Sequence, residues 1–407
     1  MQATESAAVE GPAADAPQRP ACRTILAGDH APWFGERDET GRDFLLHQLA
    51  GRYVVLCMFG SSSEAPAREA LAAIKANRHL FDGDAMCLMG FSLDPRDDGE
   101  GGVTRIKTGA IRFFVDRDLA VARLYGVVPD DAVPGGSHPV RPRWFVLDPT
   151  LRVVATFSLG PLPGNARDVI TCLASLPPPA TFAGFPVQAP VLVLPHVFEP
   201  ELCRRLVALY DAEGGKESGV MRVVDGRTQA VQIKGKKRKD VTIRDPELRR
   251  ATHGRIARRV LPEILKAYQC PISRIQRFII GCYGADDGGG FFNQHRDNTT
   301  PLTAHRRFAV SVALNTDFEG GFLSFPEYGP RGYRIPLGGA VVFSCSLLHA
   351  VSRVTGGRRY VFLPFLFDEQ AMAVHDKAHA GDPTAGDDIT HVPDVPHPSG
   401  RIVYGDF

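Results

Sequence analysis

Three side chains in the second half of the chain have the types and spacing to hold one metal ion. His295 and Asp297 are separated by a single residue in FFNQHRDN. In extended backbone, residues i and i+2 project from the same face, so this imidazole and carboxylate can bite one ion together. His349 follows the apolar run AVVFSCSLL, several strand-like segments later. Two imidazoles and a carboxylate fill three positions of an octahedron and leave three open. That suits non-haem Fe(II), which must also take a co-substrate and O2. A structural zinc site would use four protein ligands and leave no position open. With thirteen histidines in the chain, an H-x-D pair and a distant His form a weak signal alone. Arg359 strengthens it. It lies ten residues beyond His349 in HAVSRVTGGRR, where a strand–turn–strand path brings a cation back toward the metal pocket. A guanidinium clamps a carboxylate through two parallel hydrogen bonds. Iron at one end and Arg359 at the other is what a 2-oxo dicarboxylate requires. Arg358 is the neighbouring candidate, but adjacent strand residues face opposite ways and only one of the two can point inward.

The elements that must position these residues are mostly short strands. From residue 275 the segments IQRFIIGCYG, FAVSVALN, GFLSFPEY, YRIPL, GAVVFSC, HAVSRV and RRYVFLPFLF follow one another without helices between them, the pattern of a sandwich or barrel. Ahead of them, VLVLPHVF (191–198) reads as a strand. EPELCRRLVALYD reads as an amphipathic helix with Leu202, Leu206, Leu209 and Tyr210 on one stripe. Residues 246–268 read as helical, with Pro262 marking a kink or boundary. The Pro-rich stretch 176–188 reads as a linker. Before it, strand runs at 54–59, 85–94, 111–116 and 143–148 alternate with helical pattern, and RWFVLDPTLRVVATF reads as a hairpin turning at Asp148-Pro149. Such alternation implies an α/β sandwich with a mostly parallel or mixed sheet. The expected organisation is a disordered segment (1–23), an α/β domain (24–175), a linker (176–188), a mainly-β domain (189–370) and a C-terminal tail (371–407).

Composition limits the partners. Forty-seven Lys and Arg against 46 Asp and Glu leave a net charge of +1 in 407 residues, so no overall attraction to nucleic acid or an anionic membrane is expected. No apolar run approaches the roughly 18 residues that span a bilayer, and the N-terminus has neither the basic nor the apolar region of a signal peptide. Eight scattered cysteines form no CxxC pair, and several sit in apolar runs. Reduced, buried thiols and a cytoplasmic location are the expectation.

Over about 190–370 the sequence resembles the prolyl 4-hydroxylase-like branch of the Fe(II)/2-oxoglutarate dioxygenases. The resemblance runs in order through VLVLPHVFEPELCRRLVAL, the H-x-D of FFNQHRDN, LNTDFEGGFLSFPEYG, IPLGGAVVF and HAVSRVTGGRRYVF. It implies a double-stranded β-helix, or jelly roll, with His295, Asp297 and His349 as iron ligands. The family spacing gives Arg359, rather than Arg358, the C5 carboxylate of 2-oxoglutarate. Tyr283 is a candidate hydrogen-bond donor to the same co-substrate, although ADDGGGFF lengthens the gap before H-x-D and leaves a plain core Tyr open. Asn298 is read as a strand-end turn residue and His305 as outside the ligand set. The activity implied is oxidation of 2-oxoglutarate by O2 to succinate and CO2, coupled to hydroxylation of an amino-acid residue, peptide, protein or small metabolite. Desaturation and ring closure stay open, as do ascorbate as reductant and a homodimer. Residues 222–259 hold thirteen Lys and Arg against four acidic residues. They read either as a solvated face or, by the family's arrangement, as a mobile substrate cover that includes Lys234, Lys236, Lys237 and Arg238. No aromatic platform accompanies them to suggest nucleic acid.

Over about 24–160, GDHAPWF, RYVVLCMFG and RWFVLD resemble peroxiredoxins and thioredoxin-like proteins. A peroxiredoxin needs a low-pKa Cys at the helix N-terminus after its first core strand. The corresponding SSSEAPAREA (61–70) contains neither Cys nor Thr. A catalytically silent thioredoxin fold, serving recognition, packing or dimerisation, is the expectation. Two other readings are a thiol-redox protein and a non-catalytic binding protein with a vestigial oxygenase barrel. The missing Cys argues against the first and the intact ligand set against the second.

Overall fold

Seven consecutive residues of Tyr53–Phe59 are all buried, as are the seven of Met86–Ser92. A strand buried on both faces reads as a continuous apolar run and belongs in the middle of a covered sheet. The computed structural model, which describes residues 22–37, 43–106, 110–160, 165–224, 227–231, 233–380 and 388–392, places them there. The sheet order is Ile111–Val115, Met86–Ser92, Tyr53–Phe59, Arg143–Leu147, Val153–Ser158. The first three strands are parallel and the last two antiparallel. Parallel neighbours need a crossover. The helix Ala65–Ala76 supplies it, starting with Pro66 in its first turn. The antiparallel pair is the hairpin expected at Asp148-Pro149. This is a thioredoxin-like α/β fold.

The chain divides into two compact units, Met1–Leu45 with Tyr53–Leu176 and Leu46–Arg52 with Pro177–Phe407. The second unit is built from antiparallel strands, most of them in two sheets. The larger runs Ile389–His391, Arg274–Gln276, Phe365–Phe367, Phe308–Ala313, Val354–Phe362, Ile279–Gly284, Lys239–Thr242, with Ala340–Ser344 paired to Phe308–Ala313. The smaller runs Lys236–Lys237, Phe291–His295, His349–Val351, Leu323–Ser324, Gly332–Tyr333. The period of two sorts side chains between two cores. Val310, Val312, Val342, Tyr360 and Phe362 join the helices Pro200–Glu213, Pro246–Arg259 and Leu261–Tyr268 in one core. Ala309, Val341, Phe343, Val361, Phe292 and Phe325 form the other. Each such large side chain taken from water contributes about 1.5–3 kcal/mol. This is the jelly-roll arrangement.

The boundary expected at Pro262 in the helical stretch 246–268 falls at Val260, between two helices. Two expectations need revision. The expected tail from 371 contributes a helix, Glu369–Ala378, capped by the Asp368 side chain on the Ala371 N–H (2.7 Å), and a strand, Ile389–His391, paired with Arg274–Gln276. The basic stretch is not a bare loop. It includes a hairpin, Val220–Val224 with Arg227–Val231, and the strands Lys236–Lys237 and Lys239–Thr242. The expected disordered segment lies, but for its last two residues, outside the described residues. Among the described residues no helix is long and apolar enough to cross a membrane.

Candidate metal centre

Register places the two histidines. His295 ends Phe291–His295, His349 begins His349–Val351, and the two residues are directly opposed across the antiparallel pair. Their ring centroids are 4.1 Å apart. Asp297 follows two residues on, its backbone N–H donating to Cys345 O at 2.9 Å. The His295 Nε2 to Asp297 Oδ1 distance is 3.5 Å, and His349 Nε2 to Asp297 Oδ2 is 3.4 Å. One ligand atom from each residue lies within 4.8 Å of the others.

The tautomers follow from the partners. His295 Nδ1 donates to Asn293 O (2.8 Å) and His349 Nδ1 to Leu347 O (3.0 Å). A carbonyl can only accept, so each Nδ1 carries the proton and each Nε2 presents a lone pair. Burial and the neighbouring His295 hold His349 down to about 4, so it is neutral at pH 7. Burial raises the Asp297 carboxyl, but the imidazoles of His349 and His295 outweigh it and bring it below the usual range. Two imidazole Nε2 atoms and an ionised carboxylate therefore face one another, and positive charge placed between them is stabilised. Such a donor set suits a divalent cation, with backbone carbonyls orienting both imidazoles from behind. Phe292 stacks on His295 (centroids 3.5 Å), and Phe343 packs against His349 (4.7 Å), which restricts both rings.

Arg359 lies on Val354–Phe362, directly opposite Tyr283 on Ile279–Gly284. Alternation turns Arg359 inward, 8% exposed, while Arg358 is exposed and reaches Asp286 at 3.4 Å. Arg359 lines a cavity with Ser311, Leu323, Tyr333 and Val341. Burial lowers its pKa, and among the described residues no carboxylate or hydrogen-bond acceptor meets its guanidinium. A buried, uncompensated guanidinium at a cavity wall is a ready site for a carboxylate. Tyr283 is 2% exposed, its ring 5.3 Å from the Arg359 guanidinium carbon. Its hydroxyl accepts from Arg238 at 3.4 Å.

The residues expected as a mobile cover separate. Lys234 is exposed in a turn. Lys236 and Lys237 pair with Phe292 and Phe291 in the strand that carries His295. Lys236 Nζ donates to Ser218 Oγ (2.7 Å) and Gly219 O (2.8 Å). Arg238 is fixed to Asp240 through Nε (2.6 Å) and Nη2 (2.8 Å), its side chain 7% exposed. Lys236 and Arg238 are thus built into the wall beside the triad and do not form a loose flap. His305, read as outside the ligand set, bonds Gln276 Oε1 at 3.0 Å. Asn298 donates to Ser346 Oγ at 2.8 Å.

Sequence reasoning missed a buried ion pair between the two segments that carry the triad. Arg296, the middle residue of H-x-D, meets Glu327 through Nη1–Oε2 (3.0 Å) and Nη2–Oε1 (2.8 Å). Arg296 also donates to Ser346 O, and Glu327 accepts the Leu348 N–H at 2.9 Å. The pair ties the His295–Asp297 segment to the turn that delivers His349. Its only sequence signal was a charged residue, Glu327, in an otherwise apolar strand-and-turn run. Asn315 was also missed: its Nδ2 donates to Arg358 O (2.7 Å) and its Oδ1 accepts the Tyr360 N–H (2.9 Å), fixing the backbone on both sides of Arg359.

In the first unit the place expected for a peroxidatic thiol is filled by hydroxyls and carboxylates. Ser61 Oγ donates to Asp94 (2.7 Å), and Asp97 accepts the Ser62 N–H (2.8 Å) and the hydroxyls of Ser62 and Ser92. Cys57 is fully buried on a core strand, and burial pushes its thiol far up.

Comparisons with known proteins agree with the two halves. Residues 278–367 match the family model of the 2OG-Fe(II) oxygenase superfamily, and residues 27–156 match that of the AhpC/TSA family. The second half is thus similar to an oxygenase and the first to a peroxiredoxin-type redoxin. Two PKHD-type hydroxylases, from Synechococcus sp. strains JA-2-3B'a(2-13) and JA-3-3Ab, are each 30% identical over 93 residues, 21% of this chain and 40% of theirs. The chain therefore spans less than half the length of these curated relatives. Among solved structures, a Pseudomonas putida prolyl-4-hydroxylase is 18% identical over 45% of this chain and 94% of its own, with a TM-score of 0.36. The Mycobacterium tuberculosis peroxidoxin BcpB is 20% identical over 38% of this chain and 99% of its own, with a TM-score of 0.30.

Proposed function

We propose that the chain is an Fe(II)/2-oxoglutarate-dependent dioxygenase that couples decarboxylation of 2-oxoglutarate to hydroxylation of a substrate. The observation that carries this reading is the facing of three metal-seeking donor atoms, His295 Nε2, His349 Nε2 and an Asp297 carboxylate oxygen, within 4.8 Å of one another. The match of residues 278–367 to the 2OG-Fe(II) oxygenase superfamily supports it.

In this reading His295, Asp297 and His349 would hold Fe(II), a ligand set that leaves the ion able to take a co-substrate and O2. When bound, the iron supplies the redox chemistry that activates O2. The chain's own residues hold and exclude. Arg359 takes the far carboxylate of 2-oxoglutarate through a charge-assisted clamp. Tyr283 packs its ring against that guanidinium. Leu323, Val341, Phe343 and Phe325 keep water from the cavity and its surroundings. Arg296 and Glu327 fix the spacing of the two ligand segments. The first unit, without a thiol at the redoxin position, takes a non-redox role.

The test is succinate release from 2-oxoglutarate by the full chain with and without Fe(II), across amino-acid, peptide and metabolite pools. Iron-dependent succinate that disappears in His349→Ala supports the assignment. Succinate formation unaffected by iron removal or by that substitution overturns it.

A further inference from the structure

Away from the triad, three imidazoles meet where the C-terminal helix lies against the larger sheet. His305 precedes the strand Phe308–Ala313, His375 lies in the helix Glu369–Ala378, and His379 caps the end of that helix. Their ring centroids are 4.8 Å (His305 to His375), 4.1 Å (His375 to His379) and 6.0 Å (His305 to His379) apart. Helix positions i and i+4 share a face, which is why both helix histidines reach His305. His305 and His375 are 1% and 2% exposed. His379 is half-buried and forms the solvent side of the cluster. The dioxygenase reading uses none of the three.

Each ring has one nitrogen engaged and one left over. His305 Nε2 is 3.0 Å from Gln276 Oε1, His375 Nδ1 is 3.2 Å from Asp376 Oδ1, and His379 Nδ1 is 2.9 Å from His375 O. An amide oxygen, a carboxylate and a carbonyl accept, so the engaged nitrogens carry the protons. The lone pairs then lie on His305 Nδ1, His375 Nε2 and His379 Nε2. His305 Nδ1 and His375 Nε2 are buried with no hydrogen-bond partner among the described residues. A buried acceptor left without a donor is costly, and two in one cluster point to a ligand that takes electron pairs. A water molecule has two O–H groups for three lone pairs; a metal ion takes all three. Imidazoles oriented from behind by an amide, a carboxylate and a carbonyl are the arrangement in which proteins set histidine ligands. Three neutral imidazoles suit Zn(II), which completes its tetrahedron with water. The three nitrogens are not gathered within 4.8 Å as those of the triad are, because the His375 and His379 rings stack at an interplanar angle of 23°. Closing on an ion tilts the His379 ring out of that stack, a movement open to the half-buried residue at the helix end.

We propose that His305, His375 and His379 form a second metal site, for Zn(II), which pins the helix Glu369–Ala378 to the sheet. The site stands apart from the triad and does not rest on the dioxygenase reading. It joins segments distant in sequence: the helix, the residues ahead of Phe308, and, through Gln276, the strand Arg274–Gln276. An ion that binds only this folded arrangement stabilises it by mass action.

The experiment uses the full chain without an affinity tag, carrying His349→Ala so that the triad is disabled. Zn(II), titrated in competition with a chromophoric chelator, is expected to bind at one equivalent with a Kd below about 1 μM. Free Zn(II) at about 100-fold over that Kd should raise the melting temperature by about 5–10 °C. Co(II) in place of Zn(II) should show the intense visible bands of a four-coordinate ion. His375→Gln and His379→Gln, added separately, should each weaken Zn(II) binding at least about 100-fold. Gln276→Ala, which removes no ligand, should weaken it about 10–100-fold. His379→Gln, at the half-buried helix end, carries the comparison if His375→Gln does not fold. No Zn(II) bound by the His349→Ala chain overturns the proposal. So does binding that His379→Gln leaves within about twofold, or a Co(II) spectrum with only the weak bands of a six-coordinate ion. Failure of the dioxygenase reading appears separately, as absent iron-dependent succinate in the wild-type chain, and leaves these titrations unchanged.

Discussion

Glu327→Gln should loosen the metal centre from a distance. The side chains of Arg296 and Glu327 are 2% and 8% exposed, so the substitution leaves a buried guanidinium facing a neutral amide. Removing one partner of a buried ion pair costs about 3–5 kcal/mol. Glutamine keeps one carbonyl acceptor, and Arg296 keeps Ser346 O, which favours about 3 kcal/mol. For a unit of this size that corresponds to a fall of about 6–12 °C in melting temperature. The pair also holds the turn ahead of His349 through the Leu348 N–H, and loss of such outer support typically weakens metal affinity about 10–100-fold. Thermal unfolding followed by circular dichroism and equilibrium dialysis of Fe(II) read the two effects. Arg296→Met with Glu327→Leu should recover most of the stability, since well-packed apolar replacement of a buried pair is often neutral, but not the metal affinity. A Glu327→Gln variant that melts within about 1 °C of wild type and binds Fe(II) equally well refutes the reasoning.

Other outcomes follow from the same geometry. His349→Ala should retain no Fe(II) on dialysis and release no succinate, because two donors remain of three. Arg359→Gln should raise the 2-oxoglutarate KM about 10–100-fold, the loss of a charge-assisted clamp of roughly 1.5–3 kcal/mol, with a smaller change in kcat. His305 is held down to about 3 by burial. Its folded pKa lies below the unfolded value near 6.5, so its stability contribution is complete above about pH 6.5 and is lost as pH falls toward 3. Urea denaturation should show about 2 kcal/mol less stability at pH 5 than at pH 7.5 from this group, and a His305→Asn variant should lack that part of the slope. The full chain with a thiol reductant should not consume peroxide, since Ser61, Ser62 and Ser63 stand where the reactive thiol would be; consumption that depends on Cys57 would contradict this.

The grouping of His295, Asp297 and His349 was legible because its message is carried by spacing. H-x-D needs only an extended backbone to bring its side chains to one face; strand alternation says that only one of Arg358 and Arg359 points inward, and the family resemblance was needed to choose Arg359. The thioredoxin-like half was equally open to reading, because buried parallel strands announce themselves as apolar runs. What escaped was polar burial. Nothing in GKKRKDVTI distinguishes a solvated loop from strands whose Arg238 and Asp240 are buried against each other; that pairing exists only once Ile279–Gly284 lies alongside. Arg296 and Glu327 are 31 residues apart, and no local pattern joins them. The helix Glu369–Ala378 carried a legible cap at Asp368, but the helix is short and lies beyond the last apolar strand, where a tail was expected.

The central claim is that His295, Asp297 and His349 hold a ferrous ion to which 2-oxoglutarate binds, with Arg359 at its far end. Anaerobic calorimetry of 2-oxoglutarate into the full chain, with and without one equivalent of Fe(II), tests it most directly. The account predicts stoichiometric binding with iron, little without it, and a marked loss in Asp297→Ala. Binding of equal strength in the absence of metal, or none in its presence, would contradict it.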